Sequence, residues 1–183
     1  CSATNGGRVL AQVVYSCAAA VSRGARRRAV SFCVPTGNFG DIFAGYIARR
    51  MGLPIERLVV ATNHNDILDR ALRTGQYAPS GVAPSISPSM DIQVSSNFER
   101  ALFDAYGRDG GAVQQLMDEL KTGGFRISQG ALEGLRGDFA SGRCSEAETN
   151  AMIARASPEM GELLAPHSAS GVHVAQALLG ALP

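Results

Sequence analysis

The strongest constraint on the fold is a strand, a turn and a helix near the start of the chain. Residues 29–34 form a short apolar, partly β-branched run that ends at Pro35, as expected for a buried strand. After a glycine turn, apolar residues recur at helical spacing from Ile42 to Met51, and residues 57–61 indicate a second strand. A strand-helix-strand unit requires a parallel sheet with a right-handed crossover. The sequence therefore predicts an α/β fold, an open parallel sheet with flanking helices.

The whole chain divides into three parts with different patterns. Residues 1–75 hold an amphipathic helix over 7–21 and the strand-helix-strand unit. Residues 76–96 form a long loop within a stretch rich in Gly, Pro and Ser, in which regular structure is not expected. Residues 97–183 are predicted to be a helical C-terminal region. Its predicted helices span 97–106, 112–121, 130–140, 145–156 and 171–182, with a short strand over 125–128.

Charge and cysteine content exclude several classes of protein. Seventeen Lys and Arg residues against sixteen Asp and Glu residues give a formal net charge of +1, so no global basic field favours a nucleic acid or an anionic membrane. The cysteines show neither a CxxC pair nor a Cys/His spacing typical of zinc, so no metal site is expected. They are Cys1, Cys17, Cys33 and Cys144. The sequence has no long apolar run and no signal-peptide pattern, which leaves a cytoplasmic location as the expectation.

The turn Pro35–Asp41, with the sequence PTGNFGD, gives the strongest functional signal. It lies where the carboxyl end of a strand and the start of a helix form a crevice in an open α/β sheet. Gly37 and Gly40 lack Cβ atoms, so backbone N–H groups can approach an anion there. The motifs GxxxxGK[ST] and GxGxxG are absent, which disfavours ATP and NAD. The turn predicts a phosphate site; the alternative is an ordinary corner in which Asp41 only starts the helix.

Four longer stretches match a known family. They are VPTGNFGDIFAGYIARRMGLPI at 34–55, ATNHNDIL at 61–68, SPSMDIQVSSNFERALFDAYGRD at 87–109 and PHSASGVHVA at 166–175. In this order they cover most of the chain and resemble the threonine synthases, which use pyridoxal 5'-phosphate (PLP) and have fold type II. The resemblance implies that the chain is the C-terminal portion of such an enzyme. The complete enzyme would convert O-phosphohomoserine and water to threonine and phosphate.

The resemblance also implies roles for particular residues. Five consecutive residues match the family loop that binds the PLP phosphate, namely Gly37, Asn38, Phe39, Gly40 and Asp41. Ser168 matches a threonine or serine that forms a hydrogen bond with the pyridine nitrogen. Without the resemblance, Ser168 would more often cap a helix that begins near Gly171. Three further residues keep family positions without an assigned role, namely Asn5, Arg8 and Gln12.

No catalytic residue is assigned to this chain. The family's Schiff-base lysine lies in an N-terminal half that the chain does not contain, and the single lysine, Lys121, lies outside every matching stretch. The isolated chain is therefore expected to be inactive, with the missing half and O-phosphohomoserine as its expected partners. A catalytically inactive remnant that binds phosphate esters and a structural or interaction module are the alternatives. Candidates for binding the substrate phosphate are Ser87, Ser89, Ser95, Ser96, Asn97 and Arg100.

Overall fold

A computed structural model of the protein describes residues 3–25 and 28–179, without the side chains of residues 3–5 and 179. Its helices are α1 (Ala3–Ser22), α2 (Gly40–Arg50), α3 (Ile67–Thr74), α4 (Phe98–Ala105), α5 (Gly110–Thr122), α6 (Gln129–Asp138), α7 (Glu146–Met160) and α8 (Pro166–Leu179). Its strands are β1 (Val30–Pro35), β2 (Ile55–Thr62), β3 (Gln76–Tyr77), β4 (Phe125–Arg126) and β5 (Phe139–Arg143). Among the described residues, no helix is both long and apolar enough to cross a membrane.

Strands β1, β2 and β5 form a parallel sheet with β2 in the centre. Leu58 and Val60 of β2 belong to the larger core, whereas Val59 and Ala61 face a smaller core that includes Val174 of α8. Successive strand side chains point to opposite faces, so a strand covered on both sides is apolar at every position. This explains the uninterrupted apolar run and confirms the predicted α/β fold.

Strand β5 was not predicted. The helix expected over 130–140 ends at Asp138, and Phe139 already pairs with Leu58 of β2. The β5 sequence, FASGR, has little strand propensity of its own. Pairing with the central strand overrides this weak local preference, which makes the prediction of helix at residues 139 and 140 wrong.

The start of α8 also differs from the prediction. The helix begins at Pro166, five residues before the expected start at Gly171, because proline is well suited to the first position of a helix. Ser168 therefore lies inside the first turn, and the alternative in which it caps the helix is wrong. Residues 180–182, which were predicted to be helical, lie outside the described residues.

The segment between α3 and α4 has little regular structure, as predicted. Strand β3 pairs with β4 over two residues, and a 3₁₀ turn spans Pro88–Met90. Helix α3 itself was missed by the sequence analysis. The carboxyl ends of β1, β2 and β5 lie at one edge of the sheet, which is where the chain builds its polar cavity.

Candidate functional site

A cavity of about 440 Å³ opens where β1 runs into α2. All five residues of the predicted phosphate loop, Gly37–Asp41, line it. Side chains from α1, the 3₁₀ turn and α8 complete the wall, among them Arg8, Ser89 and His167. The cavity thus lies in the crevice that the sequence predicted, at the carboxyl edge of the parallel sheet.

Helix α2 begins without a capping side chain. Asp109 caps α5 and Ser145 caps α7 through a capping box, whereas α3, α4 and α6 also begin without a capping side chain. Within the described part of the chain, the backbone N–H groups of residues 37–42 donate to no protein acceptor. Free N–H groups at a helix start, together with the positive end of the helix dipole, favour an anion.

The residue before α2 has a strained backbone. Phe39 adopts the left-handed conformation at φ 63°, which an aromatic residue rarely does. Its ring is buried edge-on against Phe98 and Phe139, with ring centroids 5.2 Å apart in each pair. This packing stabilises an otherwise unfavourable turn and fixes the direction of the neighbouring peptide groups.

Hydrogen bonds orient the peptide groups of the loop. Ser95 Oγ donates to the carbonyl oxygen of Gly37 at 2.9 Å. Asn97 donates to the carbonyl oxygen of Asn38 through its backbone N at 3.1 Å and its Nδ2 at 2.9 Å. The N–H of a trans peptide points away from its carbonyl oxygen, so the N–H groups of Asn38 and Phe39 face away from these donors.

The two glycines of the loop have different steric surroundings. A Cβ atom on Gly37 would overlap the backbone carbonyl oxygen of Ser89, so no larger residue fits there without a shift of the backbone. A Cβ on Gly40 would lie 3.3 Å from Gln12 Oε1 and 3.4 Å from Asn97 Nδ2, which are side-chain atoms. Gly37 is therefore the stricter requirement, because it allows the loop and the 3₁₀ turn to pack together.

A polar network holds the 3₁₀ turn in place. Asp91 Oδ1 accepts hydrogen bonds from Asn63 Nδ2 at 2.7 Å, Asn65 Nδ2 at 2.9 Å and Ser85 Oγ at 2.6 Å. Its Oδ2 accepts from the backbone N of Ser85 at 2.8 Å. Burial acts to raise the pKa of Asp91, but hydrogen bonds from Ser85 and Asn63 bring it below its ordinary value. The network ties the end of β2 to the segment that packs on Gly37.

Two buried polar atoms at the cavity have no hydrogen-bond partner among the described residues. They are Oε1 of Gln12 on α1 and Nε2 of His167 on α8. An unsatisfied buried polar group costs about 1–3 kcal/mol and calls for an explanation such as a ligand. The sequence analysis assigned neither residue a role, although Gln12 keeps a family position and His167 lies in the stretch 166–175.

Two residues singled out by the sequence do not line the cavity. Ser168 is exposed, although its neighbour His167 lines the cavity. Lys121 Nζ pairs with Asp118 at 2.7 Å, and its side chain is 72% exposed. Of the substrate-phosphate candidates, the cavity brings together Ser89, Ser96 and Asn97 but not Ser87, Ser95 and Arg100.

Comparisons with known proteins identify relatives of the whole chain. No family model matches it. The threonine synthase of Pseudomonas aeruginosa is 50% identical over 173 residues, which cover 94% of this chain and 37% of that enzyme. The threonine synthase of Corynebacterium glutamicum is 47% identical over 180 residues, with the same two coverages of 94% and 37%.

Solved structures agree with the curated relatives. The crystal structure of PLP-bound threonine synthase from Brucella melitensis matches with a TM-score of 0.90 and 59% identity, over 92% of this chain and 37% of that one. Yeast threonine synthase matches with a TM-score of 0.88 and 40% identity, over 98% and 38%. The chain spans well under half the length of these relatives, and by sequence and fold it belongs to the threonine synthases, PLP enzymes of fold type II, as a C-terminal portion.

Proposed function

We propose that this chain forms the phosphate-binding wall of a PLP site in a threonine synthase. The complete enzyme converts O-phosphohomoserine and water to threonine and phosphate. The observation that carries this proposal is the set of unpaired N–H groups at residues 37–42, at the uncapped start of α2, in a chain that matches PLP-bound threonine synthase. On the same grounds we assign residues 1–75 to the phosphate-binding unit, 76–96 to the loop that packs on it and 97–183 to the helical region.

The residues present fit a phosphate ester. Backbone N–H groups do not titrate, so their ability to donate hydrogen bonds to a phosphate does not change with pH. Arg8 adds a cationic side chain to the same wall. Asp41 lies in the first turn of α2 with its side chain exposed, so its carboxylate does not have to face the anion.

The unpartnered atoms supply further contacts. When bound, PLP acts as an electron sink for chemistry at the substrate's carbon atoms. Gln12 would offer its side-chain amide, turned so that Nε2 donates to a phosphate oxygen, and His167 Nε2 would donate or accept a hydrogen bond according to its tautomer. By the family resemblance, Ser168, the exposed residue that follows His167 on α8, would form a hydrogen bond with the pyridine nitrogen. A hydroxyl leaves that nitrogen largely unprotonated, whereas a carboxylate would hold a proton there.

The catalytic lysine belongs to a part of the enzyme beyond these 183 residues. Lys121 cannot replace it, because it lies on the outer surface of α5 and is paired with Asp118. The chain alone therefore has no group that can form and break the bond to the cofactor's aldehyde carbon. The contribution of this chain is to bind and orient the cofactor.

A segment exchange tests this function. The corresponding segment of Pseudomonas aeruginosa threonine synthase is replaced by this chain, and the chimera is assayed for bound PLP and for threonine formed from O-phosphohomoserine. We expect PLP to bind and threonine to form. We also expect the isolated chain, and its Lys121→Arg variant, to show no turnover.

The outcomes separate the alternatives. A folded chimera that binds PLP but forms no threonine would favour a remnant that only binds phosphate esters. A folded chimera without PLP would favour a structural module. Turnover by the isolated chain would contradict the proposal that the catalytic lysine lies elsewhere. In an active chimera, Ser168→Ala should lower turnover. The free energy of unfolding should fall only by the contribution of one hydroxyl hydrogen bond, about 0.5–1.5 kcal/mol.

A further inference from the structure

Three side chains outside the cavity come together at the carboxyl end of β5. Cys144 follows that strand, Glu148 lies in the first turn of α7, and His173 lies on α8. Their ligand atoms all lie within 4.8 Å of one another. We propose that Cys144, Glu148 and His173 bind a divalent transition-metal ion of the zinc class, independently of the cofactor.

The distances suit a tetrahedral ion. Bonds of about 2.0–2.3 Å to sulfur, nitrogen and oxygen place ligand atoms about 3.3–3.8 Å apart. Glu148 Oε1 and His173 Nε2 are 3.6 Å apart, which is already within this range. Their side chains are 49% and 28% exposed, so both can adjust toward Cys144, whose side chain is fully buried at 0% exposure.

The hydrogen bonds around the cluster are compatible with a bound ion. Cys144 Sγ lies 3.2 Å from Thr149 Oγ1, which can donate to a thiolate, and 3.5 Å from the backbone oxygen of Ser145, a contact that the sulfur gives up when it loses its proton. Glu148 Oε2 accepts from the backbone N and the Oγ of Ser145, at 2.7 and 2.6 Å, so the capping box holds the carboxylate while Oε1 faces His173. Arg143, whose charge acts on Glu148, pairs through Nη1 with Asp66 at 3.2 Å, which draws part of its charge away from the site.

The charges balance when the metal binds. The thiol of Cys144 releases its proton to solvent as the metal–sulfur bond forms, and no electron is transferred. One thiolate and one carboxylate then neutralise the dication, and His173 binds as the neutral imidazole. Three protein ligands leave the fourth position to a water molecule. Because the ligands come from the end of β5, α7 and α8, the ion links α8 to the rest of the fold.

A cobalt titration of the full chain tests the site. Co²⁺ bound to a thiolate gives a charge-transfer absorption in the near ultraviolet, and we expect one equivalent per chain, displaced by Zn²⁺. Glu148→Gln should weaken binding at least tenfold, since a glutamine at this position still completes the capping box but carries no charge. Cys144→Ser should abolish the absorption, and Cys17→Ser should leave it unchanged.

Each outcome decides the proposal. Absorption that persists in Cys144→Ser, or unchanged affinity in Glu148→Gln, would place the metal elsewhere and overturn the assignment. Absence of the absorption in the folded wild-type chain would overturn it as well. Should Cys144→Ser fail to fold, Glu148→Gln and His173→Gln decide, because both side chains are partly exposed. Zn²⁺ should raise the thermal unfolding midpoint of the wild type and not that of Glu148→Gln.

Discussion

Asn97 donates two hydrogen bonds to the carbonyl oxygen of Asn38, one from its backbone N at 3.1 Å and one from its Nδ2 at 2.9 Å. The two residues are 59 positions apart in the chain. This contact turns a carbonyl of the proposed phosphate loop away from the adjoining N–H groups, which would prepare the loop for an anion before any ligand arrives. Preorganisation of this kind removes an ordering cost from binding.

Asn97→Ala tests this preorganisation in the chimera. The substitution removes the side-chain hydrogen bond to Asn38 and the one that Asn97 Oδ1 accepts from Arg100 Nε at 3.3 Å, while the backbone bond remains. We expect a cost of about 0.5–1.5 kcal/mol in PLP binding, or up to about tenfold in affinity. A fluorescence titration with PLP measures the change. Gln114→Ala, which removes only an exposed contact with Asp118, is the control and should bind PLP normally. Equal affinities in the two variants would contradict the role of Asn97.

The two loop glycines should respond differently to alanine. Gly37→Ala brings a Cβ atom against the backbone of Ser89 and should destabilise the fold by about 1–3 kcal/mol while reducing PLP affinity. Gly40→Ala meets only side-chain atoms and should have a smaller effect on both. Urea unfolding and PLP titration measure the two quantities. Gly7→Ala on α1, where a Cβ meets nothing within 4 Å, should stabilise the protein by up to about 1 kcal/mol. Identical behaviour of the Gly37 and Gly40 variants would refute this distinction.

Gln12→Met should separate stability from binding. The substitution keeps a similar side-chain length and removes a buried oxygen that has no partner among the described residues, so stability without ligand should stay equal or rise by about 1–3 kcal/mol. PLP affinity should fall, because the side-chain amide of Gln12 is proposed to donate to the bound phosphate. Thermal unfolding without and with PLP measures both effects. The exposed variant Gln115→Met should change neither, and a Gln12 variant that binds PLP at full affinity would exclude this residue from the site.

Asp91→Asn should remove part of the acid sensitivity of the protein. The pKa of Asp91 is lowered in the folded state, so its contribution to stability is present above the ordinary value of 3.8 and is lost as the pH falls through the lowered pKa. Near pH 7 the substitution should lower the free energy of unfolding by about 1.5–3 kcal/mol. Both oxygens of Asp91 accept hydrogen bonds from N–H donors, so the NH₂ group of an asparagine would face one of these donors. The difference from wild type should shrink below pH 3.8. Urea midpoints measured against pH give this curve, with the exposed Glu133→Gln as control; a difference that is constant with pH would contradict it.

Local patterns in the sequence determined the parts of this protein that depend on near neighbours. The apolar run over residues 29–34, the glycine turn and the helical spacing after Ile42 specify a strand, a loop and a helix without reference to the rest of the chain. Gly37 and Gly40 marked the loop in the sequence, and the packing excludes a Cβ atom only at Gly37. The four stretches at 34–55, 61–68, 87–109 and 166–175 predicted the family by resemblance.

Only the tertiary structure decided the features that depend on contacts between residues distant in the chain. Strand β5 forms where FASGR pairs with β2, and its local sequence resembles no strong strand. Cys144 and Glu148 lie near His173 only because α8 packs beside α7. No spacing pattern in the sequence could therefore predict the proposed metal site. Gln12 Oε1 lacks a partner among the described residues because it is buried. Burial depends on all the residues packed around an atom, so the sequence at position 12 does not reveal it.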